Sequence, residues 1–101
     1  MGNTFHVGFC TWDFRVLSDA KNADLVRIVE MCIESSGLSP TGSLEVNINP
    51  DFKFPHCEVK WYQAIFSNSE RRIIKCIDAC RALLTIYGAT DVQIYYRHIT
   101  T

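Results

Sequence analysis

The sequence predicts an α+β fold of the ferredoxin-like type, in which a four-stranded antiparallel sheet carries two helices on one face. The prediction depends on how the spacing of apolar residues changes along the chain. A spacing of two indicates a strand, and a spacing of three to four indicates a helix. The 101 residues alternate in the order strand, helix, strand, strand, helix, strand. The predicted segments are 5–9, 22–36, 44–48, 57–61, 69–87 and 92–96.

The first strand contains a change of parity. Its apolar residues have odd numbers up to Phe9 and even numbers from Trp12 onward. One face of a regular strand cannot hold both sets, because successive side chains point to opposite faces. The sequence therefore predicts a bulge or bend near Cys10 and Thr11.

The first helix is predicted to present a wide apolar stripe to the sheet. Either Ser18 or Asn22 is expected to accept a hydrogen bond from the free N–H groups at its start. Gly37 follows the last turn, where a left-handed residue ends a helix at little cost if it is glycine. The buried positions of this helix are expected to be Leu25, Ile28, Val29 and Cys32.

The second strand alternates between apolar and polar residues, which is typical of a sheet with one covered face and one solvated face. The apolar set is Leu44, Val46 and Ile48, and the polar set is Glu45, Asn47 and Asn49. The following segment, 49–55, contains two prolines that cannot donate to a ladder, so it is expected to form a long connection.

The second helix has the best-defined start. Ser67 and Glu70 form a capping box, in which each side chain accepts from the backbone N–H of the other residue. Gly88 is expected to end this helix.

Composition indicates one domain over residues 1–101, since 48% of the residues are apolar and the chain is long enough to bury a core. No apolar run approaches the roughly 18 residues of a membrane span. The formal charge of −1, with acidic and basic residues interspersed, disfavours nucleic acid as a partner. No secretory signal is visible, so we expect a reducing, cytoplasmic setting without disulfides. No cofactor or metal is predicted.

The cysteines do not form a recognisable metal or catalytic motif. Cys76 and Cys80 are one helical turn apart, but both fall on the apolar stripe and are expected to fill the core. Cys10 could serve as a nucleophile only if folding brought a base close to it. The available bases would be His6, His56 and His98.

The face of the sheet away from the helices is the predicted binding surface. If the more apolar parity of each strand points to the helices, this face carries Tyr62, Tyr95 and Arg97, which are residue types that anchor protein interfaces. The full expected set is His6, Gly8, Cys10, Glu58, Lys60, Tyr62, Gln93, Tyr95 and Arg97.

Several short motifs resemble the family of N-terminal TRAF-binding domains of the adaptor TRADD. They are residues 16–20 (Val-Leu-Ser-Asp-Ala), 34–35 (Glu-Ser), Gly37 with 39–40 (Ser-Pro), and the alternating strand at Val46 and Ile48, all within about the first sixty residues. The resemblance implies an α/β sandwich whose open sheet face docks onto a TRAF domain through its strands. By position, partner contacts would fall on Phe5 and Val7, which the parity assignment above instead places on the helix side of the sheet.

We therefore expect a non-catalytic protein interaction module, such as an adaptor or recruitment domain in signalling, that binds through the open sheet face at Phe5, Val7, Tyr62, Tyr95 and Arg97. Two alternatives stay open. One is a small inhibitor or immunity-type protein that blocks an enzyme with segment 49–55, and the other is an enzyme that uses Cys10. Self-association into a homo-oligomer is also compatible with an open sheet.

Overall fold

The computed structural model has the predicted fold. It describes residues 9–39, 42–49, 56–66 and 70–99. All neighbouring strands are antiparallel, and their order across the sheet is β2-β3-β1-β4. The elements are β1 Phe9–Ser18, α1 Asn22–Ser35, β2 Glu45–Asn49, β3 His56–Phe66, α2 Glu70–Ile86 and β4 Val92–Ile99. The predicted ferredoxin-like βαββαβ order is confirmed.

The bulge predicted in the first strand is wrong. β1 pairs with β3 without interruption from Phe9 opposite Phe66 to Ser18 opposite Cys57. The even-numbered residues from Trp12 onward are sufficient to cover the helix side of β1, so the strand keeps one regular alternation. The backbone of Cys10 pairs opposite Ile65. Its side chain lies outside the described part of the structure, so its place on the open face stays a prediction.

Both predicted caps of α1 are wrong, whereas the predicted helix ends are confirmed. The N-cap residue is Lys21, which makes no side-chain cap, and Asn22 is already helical. Ser18 lies too early, because β1 runs as far as this residue; its Oγ accepts a hydrogen bond from the Ala20 N–H at 3.0 Å instead. Gly37 has φ 73° and Gly88 has φ 95°, which is the left-handed conformation expected after each helix. The capping box remains a prediction, because Ser67 lies outside the described residues.

The core lies between the sheet and the two helices. Phe14 of β1 stacks on Trp61 of β3, with ring centroids 4.9 Å apart and planes 8° from parallel. The predicted stripe of α1 is buried against this pair. Cys76 and Cys80 of α2 are buried in the same cluster, as predicted.

The apolar side of β2 is less covered than its alternation predicts. Val46 is 38% exposed and Ile48 is 61% exposed. β2 is an edge strand, and α1 packs chiefly over β3 while α2 packs over β4. The parity of the strand is correct, but the helix layer does not extend over this edge.

Candidate functional site

The candidate site is the face of the sheet that points away from both helices, called the open face below. The residues predicted from β3 and β4 do lie there, because each is opposite an odd-numbered residue of β1 in the register. Its members are Thr11, Asp13, Arg15, Leu17, Glu45, Asn47, Glu58, Lys60, Tyr62, Ala64, Gln93, Tyr95, Arg97 and Ile99.

The contribution of β1 to the open face was missed. From β1, the open face carries Asp13, Arg15 and Leu17, whereas the residues expected from the first strand were His6, Gly8 and Cys10. The signal for Asp13 and Arg15 was present in the even-numbered apolar series Trp12, Phe14 and Val16, which leaves these two polar residues for the other face. Leu17 is apolar and carries no such signal. His6, Gly8, Phe5 and Val7 lie outside the described residues, so their predicted places were not located.

Two ion pairs cross the open face between neighbouring strands. The Arg15 Nε donates to Glu58 Oε2 at 3.0 Å, and this hydrogen bond with Glu58 raises the pKa of Arg15. The Arg97 Nε donates to Asp13 Oδ2 at 3.2 Å. These pairs connect β1 to β3 and to β4, so the side chains are positioned by three strands at once.

The tyrosines of the open face each lie beside a cation. The Lys60 ammonium is 5.4 Å from the centre of the Tyr62 ring, and a hydrogen bond with Tyr62 raises the pKa of Lys60. The Arg15 guanidinium is 5.9 Å from the Tyr95 ring. The Tyr95 hydroxyl donates to Gln93 Oε1 at 2.7 Å. Contacts of this kind restrict the side-chain rotamers before any partner binds.

Burial divides the open face into a covered centre and an exposed periphery. Asp13 and Glu58 are both buried, and Leu17 is fully buried. Tyr62 is 40% exposed, Tyr95 is 49% exposed, and the Arg97 side chain is 77% exposed. The three residues predicted to contact a partner on these strands are therefore accessible.

The register separates Cys10 from one of its possible bases. Cys10 lies opposite Ile65, nine positions along β3 from His56, which corresponds to roughly 30 Å. His56 is buried, and its Nε2 is 3.0 Å from Asp91 Oδ2. His98 lies opposite Trp12 and near its ring, two residues along β1 from Cys10. His6 lies outside the described residues.

The other four cysteines are buried side chains of the hydrophobic core. Cys32, Cys57, Cys76 and Cys80 are buried free thiols. Burial raises the pKa of Cys57, and hydrogen bonds with Cys32 and Cys76 raise the pKa of Cys80. Within the described ranges, no group of three or more His, Cys, Asp or Glu residues is arranged to hold a metal ion.

Two further points concern the projecting segment of the inhibitor alternative and the possibility of a membrane span. Most of segment 49–55, the proposed projecting element of an inhibitor, lies outside the described residues, so that alternative gains no structural support. Neither described helix combines the length and apolar character needed to cross a membrane.

Comparison with known proteins shows the fold. No family model and no curated protein matches the chain. A putative glycine cleavage system transcriptional repressor superposes with a TM-score of 0.63 and 15% identity over 100% of this chain. A de novo designed protein with a ferredoxin fold gives 0.54 and 12% over 92% of this chain and 86% of its own.

A third similar structure is CPII from Thiomonas intermedia K12, bound to ADP, AMP and acetate, with a TM-score of 0.53 and 7% identity. The match covers 92% of this chain and 91% of CPII. By contrast, the chain spans only 53% of the repressor, about half its length. At these identities, the likeness describes a shared fold and not a shared activity.

Proposed function

We propose that this chain is a non-catalytic binding module that recognises another protein through the open face. The observation that carries the proposal is the exposed group formed by Tyr62 on β3 and by Tyr95 and Arg97 on β4, the two strands on either side of β1. Tyrosine and arginine are enriched among the residues that contribute most to binding at protein interfaces.

The rigidity of the surface supports the same proposal. The three residues lie on strands of one antiparallel sheet, and two of them, Arg97 and Tyr95, also make an ion pair and a cation contact with β1. A partner that docks on such a surface loses less binding free energy to the ordering of side chains. A similar fold in a putative transcriptional repressor is compatible with a regulatory role.

The resemblance to TRADD N-terminal domains favours a protein as the ligand, and it adds Phe5 and Val7 to the proposed surface. Both residues precede the described part of β1. An adaptor role in signalling, with a TRAF-like partner, is the specific form of the proposal that this resemblance supports.

The test compares two double variants on opposite sides of the protein. Tyr95→Ala/Arg97→Ala removes the exposed pair on β4. Tyr87→Ala/Arg27→Ala is a matched control, because it removes a tyrosine and an arginine that contact each other on the helix side, 5.4 Å from guanidinium to ring. Partners retained by wild type are identified by affinity capture and confirmed with the purified proteins.

We expect a specific partner to bind wild type and the control with similar affinity. The open-face variant should lose about 2 kcal/mol of binding free energy, or roughly thirtyfold in affinity. Equal retention of every partner by both variants, with folding intact by circular dichroism, would contradict the proposal.

A further inference from the structure

The side of β4 that faces away from β1, called the outer edge below, carries backbone groups that the sheet does not use. β4 is the last strand of the sheet, and within the described residues it pairs only with β1. The Asp19 N–H donates to the Asp91 carbonyl at 3.4 Å, and these two residues continue the register of the β1–β4 ladder. Because hydrogen-bonded pairs alternate along an antiparallel ladder, the odd-numbered residues of β4 bond to β1. The residues that direct their N–H and C=O groups to the outer edge are Val92, Ile94, Tyr96 and His98.

The outer edge of β4 lacks the features that normally prevent a terminal strand from pairing. Natural edge strands are short, or they carry proline, charged side chains or bulges. β4 has eight residues without proline or glycine, it pairs with β1 without interruption, and its one permanent charge is Arg97. The other edge strand, β2, has only five residues and is followed in the sequence by Pro50. The outer edge of β4 is therefore the better place for a further strand.

Exposed apolar side chains lie along the outer edge on both faces of the sheet. Tyr95 on the open face and Tyr96 on the helix side are each 49% exposed. Ile74 of α2 is 54% exposed and lines a cleft together with Trp12 and Tyr96. A strand added here would cover part of this apolar surface and would also satisfy the free backbone groups.

We infer that the added strand is β4 of a second copy of this chain, so that two copies join their four-stranded sheets into one. A two-fold axis beside Tyr95 places Val92 opposite His98 of the second copy, and Ile94 opposite its Tyr96. Every N–H and C=O group that β4 directs to the outer edge is then paired in both copies. This inference goes beyond the proposed function, because the dimer forms without any other protein.

The side chains of β4 are complementary to themselves in this register. On the open face, the two Tyr95 rings are opposite each other, and Arg97 is opposite Gln93 of the second copy, whose amide oxygen is an acceptor. On the helix side, Ile94 is opposite Tyr96, and cross-strand pairs of aromatic and β-branched residues stabilise a sheet. An axis beside Arg97 would instead place two guanidinium groups opposite each other, which is unfavourable.

The helix layer favours the same partner. α2 is the helix that packs over β4, so the two α2 helices become antiparallel neighbours in the dimer. Asp78 and Arg81 are exposed, and they share a face of α2 with Ile74 because they follow it by four and seven residues. Antiparallel helices therefore present opposite charges to each other along this face. An unrelated strand at the outer edge would leave this face of α2 exposed.

The test is sedimentation velocity of the full chain at concentrations from about 1 µM to about 200 µM. We expect a dimer with a dissociation constant below about 20 µM. Tyr96→Lys should weaken the dimer at least about tenfold, since it adds a charge at the outer edge. Ile48→Lys is the matched control, because Ile48 is also an exposed apolar residue on the helix side of an edge strand. It should leave the dissociation constant unchanged.

A cross-linking measurement checks the register independently. The two Tyr95 positions form a non-hydrogen-bonded pair, in which Cα atoms are about 4.5 Å apart, close enough for a disulfide. Tyr95→Cys should therefore give a covalent dimer with oxidised glutathione, which takes up the two electrons and two protons of the thiols and becomes two reduced molecules. Tyr62→Cys is the control on an inner strand, and it should cross-link no faster than wild type.

Three results would overturn the inference. They are a wild-type chain that stays monomeric at every concentration, wild-type dimerisation in folded Tyr96→Lys, and the absence of a covalent dimer in Tyr95→Cys. The last result decides the matter if Tyr96→Lys does not fold by circular dichroism. Capture of an extended segment of another protein by a monomeric chain would assign the outer edge to a different occupant.

The dimer and the proposed function fail separately. Side chains of the open face project away from the sheet, so Tyr95 and Arg97 stay accessible to a partner in the dimer. Tyr96 lies on the helix side, so Tyr96→Lys tests the dimer without changing the open face. A monomeric chain that still captures a partner would contradict only the dimer, and a dimer that captures none would contradict only the proposed function.

Discussion

Individual residues of this protein differ sharply in what they contribute, and neighbouring residues in β3 show the contrast. Trp61 is 2% exposed and stacks on Phe14 between the sheet and the helices. Tyr62, the next residue, lies on the open face and is 40% exposed. The alternation of the strand thus places a core residue beside a surface residue.

Replacement of Trp61 by alanine should destabilise the fold strongly. Trp61→Ala removes a large buried ring and leaves a cavity beside Phe14, so we expect the free energy of unfolding to fall by about 3–5 kcal/mol. Tyr62→Ala is the matched control and should cost about 1 kcal/mol or less. Urea unfolding followed by circular dichroism measures both values. Similar losses in the two variants would mean that the stacked pair is not central to the core.

At the scale of the elements, both helices end in a glycine with positive φ. Gly37 and Gly88 adopt φ values of 73° and 95°. At each site, a Cβ atom would meet no other atom within 4 Å. The requirement for glycine is therefore conformational, because L-residues with a side chain are disfavoured in this region of backbone space.

Substitution at Gly88 should reveal this requirement in isolation. Gly88→Ala should destabilise the protein by about 1 kcal/mol through backbone strain, whereas Gly88→Asn should cost less because asparagine tolerates the left-handed region. Gly42→Ala is the control, since Gly42 is a described glycine without positive φ and with open space around it. Thermal unfolding would contradict the explanation if Gly42→Ala and Gly88→Ala lowered the melting temperature equally.

The sequence predicted the order of the helices and strands, but it did not always predict how far each one is buried. Periods of two and of three to four identified all six elements, because these periods are local properties of the chain. The exposure of Val46 and Ile48 could not be predicted in this way. A strand's pattern indicates which side is apolar, but only the strand order determines whether a helix lies above it.

At the scale of the whole molecule, Asp19 joins two connections that are far apart in sequence. Its carboxylate, in the β1–α1 turn, accepts from the N–H groups of Thr90 at 3.0 Å and Asp91 at 3.2 Å, and also from the Thr90 hydroxyl. The hydrogen bond from the Thr90 hydroxyl is the largest of the contributions that lower the pKa of Asp19. The start of β4 is thereby fixed beside the end of β1.

The lowered pKa of Asp19 predicts how stability depends on pH. The folded state favours the carboxylate, so its contribution is present above the unfolded pKa of about 3.9 and is lost as pH falls through the lower folded value. We expect the stability advantage of wild type over Asp19→Asn to be largest near neutral pH and to shrink below about pH 4. Denaturant titrations at several pH values measure this difference.

Thr90→Val provides the matched variant, since it removes the hydroxyl donor and keeps a side chain of similar shape. It should show a smaller pH dependence than wild type, because the main cause of the lowered pKa of Asp19 is absent. If wild type and Asp19→Asn lost stability in parallel over this range, the carboxylate would not be responsible.

The candidate site was partly predictable for the same reason as the fold. Tyr62, Tyr95 and Arg97 were identified correctly as residues of the face opposite the helices, because β3 and β4 alternate without a break. Asp13 and Arg15 were missed, since two apolar series in the first strand allowed two parities. The outer edge of β4 also depends on the order of the strands, which no local pattern contains.

The sequence by itself determined the number, type and order of the elements and the glycines that end both helices, because each depends on the spacing or backbone freedom of nearby residues. Only the tertiary structure decided the parity of β1, the cap of α1, the exposed edge at β2 and the outer edge of β4. These features depend on which strands pair and in what register. Such pairing is set by contacts between residues far apart in the chain.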